Sequence, residues 1–240
     1  MIEKTDNKIA LGIIGAMQIE VEELISHMTA CETRRISGIL FTEGLLRGKR
    51  VVVAKCGIGK VFAALCAETM ILAYAPAAIV NTGVAGTLTD RLSIGQVAVA
   101  TAVVQHDMDT SPLGDPIGLL SGLDMVSIPA DEPLSARLAA CVEAAGVVCA
   151  RGVIASGDQF IASAAARTRI HESFPGMELV ACEMEGAAIG QVCYVNDLPF
   201  AILRAISDGG NEQSFADYPT FLAASAHTAA AVLEELIREL

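Results

Sequence analysis

Three acidic sites in this chain follow apolar runs of strand length. Glu20 comes after residues 9–16, Glu183 and Glu185 come after residues 178–182, and Asp208 comes after residues 198–206. Ligands of open α/β sheets bind at the carboxyl ends of the strands. A carboxylate held there by a rigid element is well placed for proton transfer. The pattern predicts one acidic pocket that binds hydroxyl groups and moves protons.

Each acid also has a simpler structural interpretation. Glu20 lies where a first helical turn is predicted, and acids are favoured there by the helix dipole. Asp208 has the helix-cap alternative, although the Gly-Gly and polar residues after it lack a helical pattern. Glu183 and Glu185 are two positions apart and point in different directions, so one can bond within the fold while the other faces the pocket.

Alternating strand and helix patterns surround these acids and predict the fold class. Strands are predicted at residues 9–16, 39–45, 50–55, 78–82, 96–104, 148–156, 178–182 and 198–206. Helices are predicted at residues 19–28, 60–75, 133–145, 161–174, 186–196 and 218–240. Residues 83–86 are predicted to form a turn and residues 106–123 a long loop. This alternation predicts a three-layer α/β/α fold with a mixed, twisted central sheet.

Composition limits the class of protein. The 240 residues suit one domain, residues 1–240, with residues 1–8 as a flexible N-terminus. The net charge of -12 argues against nucleic acid or an anionic membrane as a partner, because phosphate binding requires clusters of Lys and Arg. No apolar run reaches the ~18 residues needed to span a bilayer. The seven scattered cysteines lack CxxC spacing and predict reduced thiols in a cytoplasmic protein.

Three binding motifs are incomplete. The segment Lys55-Cys-Gly-Ile-Gly-Lys60 lacks the first Gly and the final Ser or Thr of a phosphate loop. The segment Gly12-Ile-Ile-Gly15 lacks the spacing of a dinucleotide fingerprint. The four histidines share no metal-ligand spacing, and the acids after His106 more often cap backbone amides. We therefore predict no cofactor and no metal.

Six motifs together carry a family resemblance. In chain order they are Gly12-Ile-Ile-Gly-Ala-Met17, Gly57-Ile-Gly-Lys60, Asn81-Thr-Gly-Val-Ala-Gly86, Ser156-Gly-Asp-Gln-Phe-Ile161, Glu183-Met-Glu185 and Arg204-Ala-Ile-Ser-Asp208. With these motifs the chain resembles the methylthioadenosine/S-adenosylhomocysteine nucleosidases of the nucleoside phosphorylase superfamily, over nearly its whole length. The resemblance implies a nucleoside phosphorylase-like fold and hydrolysis of the N-glycosidic bond of an adenine nucleoside in methionine salvage.

The resemblance also implies roles for individual residues. Asp208 matches the acid that protonates the purine, and Ser207 the residue that orients it. Glu20 matches the carboxylate that activates water, Glu185 the acceptor for the ribose hydroxyls, and Met184 the residue packed on the sugar. The remaining matches concern the rest of the pocket: Phe160 stacks on adenine, the backbone of Ile161 reads the base edge, and Met17, Ile58, Tyr218 and Val84 line the pocket. The family further implies a homodimer in which loop 106–119 reaches the partner's site.

Two positions depart from the family pattern. Val84 stands where many members have Ser, and Tyr218 stands where Phe is usual. The related phosphorylases place Arg near the first strand to hold phosphate, where this chain has Glu20, and we expect no Arg to offset that charge. Like charges repel, so water is the expected nucleophile. An aminodeoxyfutalosine nucleosidase and a non-catalytic nucleoside-binding protein are the alternatives.

Overall fold

A computed structural model describes residues 8–240 as ten strands and six α-helices. The strands are β1 (Leu11–Gly15), β2 (Thr29–Ile36), β3 (Ile39–Leu46), β4 (Lys49–Lys55), β5 (Ile79–Thr87), β6 (Val97–Gln105), β7 (Ser127–Pro129), β8 (Cys149–Ser156), β9 (Leu179–Glu183) and β10 (Phe200–Asp208). The helices are α1 (Gln18–His27), α2 (Lys60–Tyr74), α3 (Glu132–Ala144), α4 (Ala164–Ser173), α5 (Gly186–Val195) and α6 (Ser214–Glu239). A short 3-10 helix, Ser111–Leu113, interrupts the loop after β6.

All ten strands join one mixed sheet, in the order β10-β6-β8-β9-β5-β1-β4-β3-β2, with β7 on β6. An additional parallel pairing between β10 and β5 closes the first five strands of this order into a ring. β5 therefore has three neighbours, because β1, β9 and β10 all pair with it. The predicted mixed sheet is confirmed, and the ring adds a closure that the strand pattern alone did not predict.

Helices cover both faces of the sheet. On one face, apolar residues of α2 and α5 pack against Ile14 and Val52. On the other face, α1, α3 and α6 pack against Leu11 and Ile13. This alternation along β1 follows from the two-residue period of a strand. The predicted three-layer α/β/α arrangement is therefore confirmed.

Several predicted boundaries are wrong. Residues 83–86 are not a turn, because β5 continues through them and pairs with β10 as far as Gly86. β2 was missed because nearly all its residues are exposed and it pairs only with β3, so it has no apolar pattern. The short strand β7 was also missed. Helix α4 starts at Ala164 because Ser163 caps it, and α6 starts at Ser214, four residues before the predicted start.

The predicted flexible N-terminus lies almost entirely outside the described residues, which begin at residue 8. The single domain expected for residues 1–240 stays a prediction. Within residues 8–240, none of the helices combines the length and the apolar content needed to cross a membrane.

Candidate active site

A cavity with an empty volume of about 550 Å³ lies where β1, β5, β9 and β10 end. Ligand pockets typically enclose roughly 300–1,000 Å³. All eleven site residues named from the sequence line it: Met17, Glu20, Ile58, Val84, Phe160, Ile161, Met184, Glu185, Ser207, Asp208 and Tyr218. The topology therefore brings together residues that are up to about 200 positions apart in the chain.

Glu20 lies in the first turn of α1 and is 3% exposed. One carboxylate oxygen accepts hydrogen bonds from the backbone amides of Ala16 (2.7 Å) and Met17 (2.8 Å). The other accepts from the amide of Val84 at 3.1 Å. Burial raises the pKa of Glu20, against the opposing effects of Arg204 and these three amides. Glu20 thus fills its helix-start role and also presents a carboxylate of increased basicity to the cavity.

Gly83 allows β5 to pass close to this carboxylate. Its φ of +153° lies in the region that favours glycine. A Cβ at this position would lie 2.9 Å from Cδ of Glu20, and it would also collide with Arg204. The glycine-rich sequence of β5 therefore reflects the tight packing of charged side chains against the strand.

Glu183, the last residue of β9, bonds within the fold. It accepts hydrogen bonds from the Ser156 hydroxyl and from the backbone amides of Glu185 (3.0 Å) and Gly186 (2.8 Å). It also forms a buried salt bridge with Arg204. Because these partners occupy both of its oxygens, Glu183 is the member of the Glu-Met-Glu segment that serves the fold.

Glu185 also lines the cavity, and its carboxylate has fewer and longer contacts than that of Glu183. Its Oε1 accepts a hydrogen bond from the Gly59 amide at 2.8 Å, and its Oε2 lies 3.5 Å from Nη2 of Arg204. Burial, with a further contribution from Glu183, raises the pKa of Glu185 to about 7, although Arg204 opposes the rise. The group can therefore change its protonation state near neutral pH.

Arg204 is the most important site residue that the sequence analysis missed. It is 1% exposed, and its Nη2 bonds to Glu183 and to the side-chain oxygen of Asn81. Burial alone would lower its pKa, but the surrounding Glu183, Glu185 and Glu20 raise it. The expectation that no arginine offsets Glu20 is therefore wrong. The signal was a cationic residue inside an otherwise apolar run, which is buried only when it is paired.

Asp208 ends β10 and is 2% exposed. Its Oδ1 accepts hydrogen bonds from the amide of Gly210 (2.9 Å) and the hydroxyl of Ser214 (2.6 Å). Its Oδ2 lies 3.0 Å from the hydroxyl of Ser207. The helix-cap interpretation is wrong, because Asp208 bonds to the side-chain hydroxyl of Ser214 and not to a backbone amide of α6, whose N-cap residue is Gln213. These bonds fix the carboxyl group against the cavity wall.

Aromatic and apolar side chains form the rest of the wall. The rings of Phe160 and Tyr218 meet edge to face, with centroids 5.4 Å apart. The Tyr218 hydroxyl lies 3.2 Å from the sulfur of Met17. Ile58 is exposed at one side of the cavity, whereas Ile161 is buried. Such a wall suits a ligand with a flat ring and an apolar substituent.

Among residues 8–240 there is no group of three or more His, Cys, Asp or Glu side chains placed to hold a metal ion. The polar side chains that line the cavity are carboxylates, hydroxyls, the Gln159 amide, the Cys182 thiol and one paired guanidinium. This set supports proton transfer and the stabilisation of positive charge.

Comparisons with known proteins identify the family. Residues 10–238 match the family model of the phosphorylase superfamily. The 5'-methylthioadenosine/S-adenosylhomocysteine nucleosidase of Shewanella sp. strain MR-7 is 39% identical over 96% of this chain and 97% of its own length.

Two solved structures share this fold over nearly their whole length. The Neisseria meningitidis 5'-methylthioadenosine/S-adenosylhomocysteine nucleosidase, in complex with methylthio-immucillin-A, aligns with a TM-score of 0.92 at 33% identity, covering 96% of this chain and 99% of the other. The Helicobacter pylori futalosine hydrolase aligns with a TM-score of 0.91 at 34% identity, covering 97% and 98%. The chain therefore belongs to the phosphorylase superfamily and, within it, to the family of 5'-methylthioadenosine/S-adenosylhomocysteine nucleosidases.

Proposed function

We propose that this protein is a hydrolase that cleaves the N-glycosidic bond of 5'-methylthioadenosine, S-adenosylhomocysteine and 5'-deoxyadenosine in methionine salvage. Adenine and the corresponding thioribose or deoxyribose are the products. The observation that carries this proposal is that two buried acids, Glu20 and Asp208, line one cavity together with the rings of Phe160 and Tyr218 and with Glu185. A carboxyl group beside the leaving group and a carboxylate beside the sugar are the two requirements of glycoside hydrolysis.

Asp208 supplies the proton to the leaving group. Adenine leaves poorly as an anion, so protonation of the purine at N7 lowers the barrier to bond cleavage. Ser207 and Ser214 hold the carboxyl group from both sides, which limits its motion and favours one direction of proton transfer. Phe160 and Ile161 lie in the same cavity, where the ring of Phe160 stacks on the base and the backbone of Ile161 bonds its edge.

Glu20 activates the water that attacks the sugar. Its raised pKa makes it a better base than an exposed glutamate, and its three backbone donors hold it in place. Val84, where relatives have Ser, contributes its amide to this arrangement and no side-chain hydroxyl. The water is therefore oriented mainly by Glu20.

Glu185 accepts the hydrogen bonds of the ribose hydroxyls, and Met184 packs against the sugar. As the glycosidic bond breaks, the ribosyl fragment acquires oxocarbenium character. Glu20, Glu183 and Glu185 surround the single cation Arg204, so carboxylates outnumber guanidinium on this side of the cavity. The excess negative charge stabilises the developing cation.

Water, rather than phosphate, is the proposed nucleophile. Arg204 lies beside Glu20, but its Nη2 already bonds to Glu183 and Asn81. A phosphate dianion would also meet three carboxylates at short range, and like charges repel strongly in a buried site. Both effects favour a neutral nucleophile.

The experiment is an adenine-release assay on methylthioadenosine, S-adenosylhomocysteine, 5'-deoxyadenosine and aminodeoxyfutalosine, each with and without phosphate. We expect turnover on the first three that does not change with phosphate. Turnover proportional to phosphate, with a ribose-1-phosphate-type product, would instead assign a phosphorylase. Nucleoside binding without any adenine release would assign a binding protein.

A second candidate is aminodeoxyfutalosine nucleosidase of menaquinone synthesis. The similarity to the Helicobacter pylori futalosine hydrolase favours it, because that protein has the same fold over nearly its whole length. The two substrates share the adenosine part and differ at the 5' substituent. Relative kcat/KM values in the same assay distinguish them.

The protein is proposed to act as a homodimer in the cytoplasm. Val61, Phe62, Leu65 and Leu72 form an exposed apolar face on α2, and exposed apolar faces of this kind mark interfaces. Loop 106–119, with the exposed Leu113, is expected to reach the partner's site. Light scattering of Leu65→Glu against the native protein tests the dimer. The free cysteines of residues 8–240 support a reducing compartment.

A further inference from the structure

Three charged residues beside the cavity form a closed ring. The Lys60 ammonium donates to Oδ1 of Asp107 at 2.6 Å. The second oxygen of Asp107 accepts from the backbone amide of Asp158 at 2.8 Å. The carboxylate of Asp158 in turn accepts from the backbone amide of Lys60 at 2.8 Å. These three hydrogen bonds therefore form a closed ring.

The ring joins three segments that are distant in the chain. Lys60 begins α2 and directly follows Gly59, whose amide bonds to Glu185. Asp158 lies two residues before Phe160 in the loop after β8. Asp107 lies at the base of loop 106–119. Each segment therefore carries either a proposed substrate contact or the proposed dimer loop.

Two of the three ring residues, Lys60 and Asp107, are partly buried, whereas Asp158 is exposed. The side chains of Lys60 and Asp107 are only 18% and 14% exposed. Lys60 also donates to Gln105 at 3.0 Å, and Gln105 donates to Gln191 of α5 at 2.7 Å. Hydrogen bonds to partly buried charged groups are stronger than those between exposed groups. The ring is therefore able to hold the two loops in one arrangement.

We propose that the ring of Lys60, Asp107 and Asp158 is a positioning unit that holds the Gly59 amide on Glu185 and fixes the loop of Phe160. None of the three charged side chains lines the cavity. They act through Gly59, the residue whose amide bonds to Glu185. Gly59 has a φ of +100°, a conformation that glycine adopts readily. Because glycine is conformationally free, the neighbouring residues set the orientation of its amide. This inference rests on the proposed function, because it assigns the ring to nucleoside binding.

The ring also has a consequence for pH dependence. The amide of Gly59 lowers the pKa of Glu185 against burial, so loss of this donor would raise it. The other titratable or charged groups that face Glu185 are Arg204 from β10, Glu183 from β9, Glu20 from α1, Cys56 after β4 and Tyr218 from α6. None of these five is part of the ring. A change at the ring therefore reaches the ionisation of Glu185 through Gly59.

The test uses Lys60→Met and Asp107→Asn, each of which removes a charge while keeping a similar shape. KM and kcat for methylthioadenosine are measured from pH 5 to pH 9. We expect KM to rise by about tenfold with a smaller change in kcat, because the ring supports ground-state and transition-state binding alike. We also expect the acidic limb of kcat/KM to move up by about one pH unit. Lys60→Arg, which keeps the charge, should restore most of both values.

The matched control is Arg50→Met, because Arg50 and Glu43 form a partly buried salt bridge in the β3–β4 hairpin and neither lines the cavity. Thermal unfolding of every variant separates folding from positioning. Unchanged KM and an unmoved acidic limb in both ring variants would overturn the inference. Equal effects in Arg50→Met would also overturn it. If the native protein releases no adenine, the proposed function is refuted. Calorimetry of methylthioadenosine binding to the ring variants and to the native protein would still test the inference about the ring.

Discussion

The two halves of the cavity hold their acids in different ways. In the half proposed to hold the sugar, called the sugar half, Glu20, Glu183 and Glu185 surround the cation Arg204. In the half proposed to hold the base, called the base half, Asp208 bonds only to two hydroxyls and one backbone amide among its described partners. One half is therefore an ionic cluster, and the other is a neutral hydrogen-bonded cradle for a single acid.

This difference matches the two tasks of the proposed reaction, which are to stabilise a cation on the sugar and to protonate the base. The sugar half must tolerate a cation, and an anionic cluster partly offset by one arginine does so without excessive repulsion. The base half is proposed to deliver a proton, and the described hydrogen-bond partners of Asp208 include no lysine or arginine. Carboxyl groups of the same chemical type therefore differ in their proposed roles according to whether they lie beside Arg204.

Asp208→Asn tests the base half and has the largest expected effect. The amide keeps the shape of the carboxyl group but cannot supply the proton. We expect kcat to fall by about 10²–10⁴-fold while the fold survives. Adenine release by single turnover measures the loss. Asp90→Asn is the control, because the Asp90 side chain is fully exposed. A variant that keeps more than about a tenth of the native rate would place the proton donor elsewhere.

Glu20→Gln tests the sugar half. We expect hydrolysis to fall by at least about 10²-fold, because the amide cannot accept a proton from water. Nucleoside affinity should change by less than about tenfold, because the proposed role of Glu20 is toward water and not toward the base. Calorimetry with methylthioadenosine measures the affinity. If affinity falls in step with rate, Glu20 is a binding or folding residue instead.

The sequence predicted most of the fold because most elements have an apolar face with a clear period. β2 and β7 escaped detection because their order comes from pairing with neighbours and not from an apolar pattern. Residues 83–86 carry two glycines that normally indicate a turn, yet β10 supplies strand partners for them. The ring closure between β10 and β5 is likewise a long-range property that no local pattern contains.

The candidate site was predicted by residue type and family motif, whereas its charge balance was not. Glu20, Glu185 and Asp208 follow strand ends, so their convergence on one cavity follows from the topology of the sheet. Arg204 lies within a strand and was taken as part of an apolar run. Its partners Glu183 and Asn81 come from other strands, and only the folded chain brings them together.

Glu185→Gln sharpens the comparison through stability. The pKa of Glu185 is raised to about 7 in the folded protein, so protonated Glu185 is the form that favours folding. Its contribution is present below the ordinary value near 4.5 and is lost as pH rises through about 7. Glutamine never ionises and avoids this loss.

The stability gain of Glu185→Gln over the native protein should therefore grow between pH 4.5 and pH 8, by on the order of 1–3 kcal/mol. Urea unfolding at several pH values measures it. Glu172→Gln, at an exposed position on α4, is the control. A difference that stays constant with pH would show that Glu185 does not titrate in this range.

The smallest expected effect concerns the wall that joins the two halves. Met17, Ile58 and Tyr218 make the proposed 5' region largely apolar, and burying a methylthio group there gains roughly 25 cal/mol per Å². We therefore expect methylthioadenosine to have about a tenfold higher kcat/KM than adenosine. S-adenosylhomocysteine should be accepted only with its charged end outside the cavity, because burial of that charge is costly.

Tyr218 makes this prediction specific to the chain. Burial, with Glu20, Asp208 and Glu185 nearby, raises the pKa of its hydroxyl, which therefore stays a donor. The sulfur of Met17 is only a weak acceptor for it. The 5'-hydroxyl of adenosine is a stronger acceptor than this sulfur. Tyr218→Phe should therefore lower adenosine cleavage by about 2–10-fold and leave the cleavage of 5'-deoxyadenosine, which lacks that hydroxyl, nearly unchanged. Equal effects on both nucleosides would show that Tyr218 acts only by packing, and adenosine matching methylthioadenosine would indicate a general purine nucleosidase.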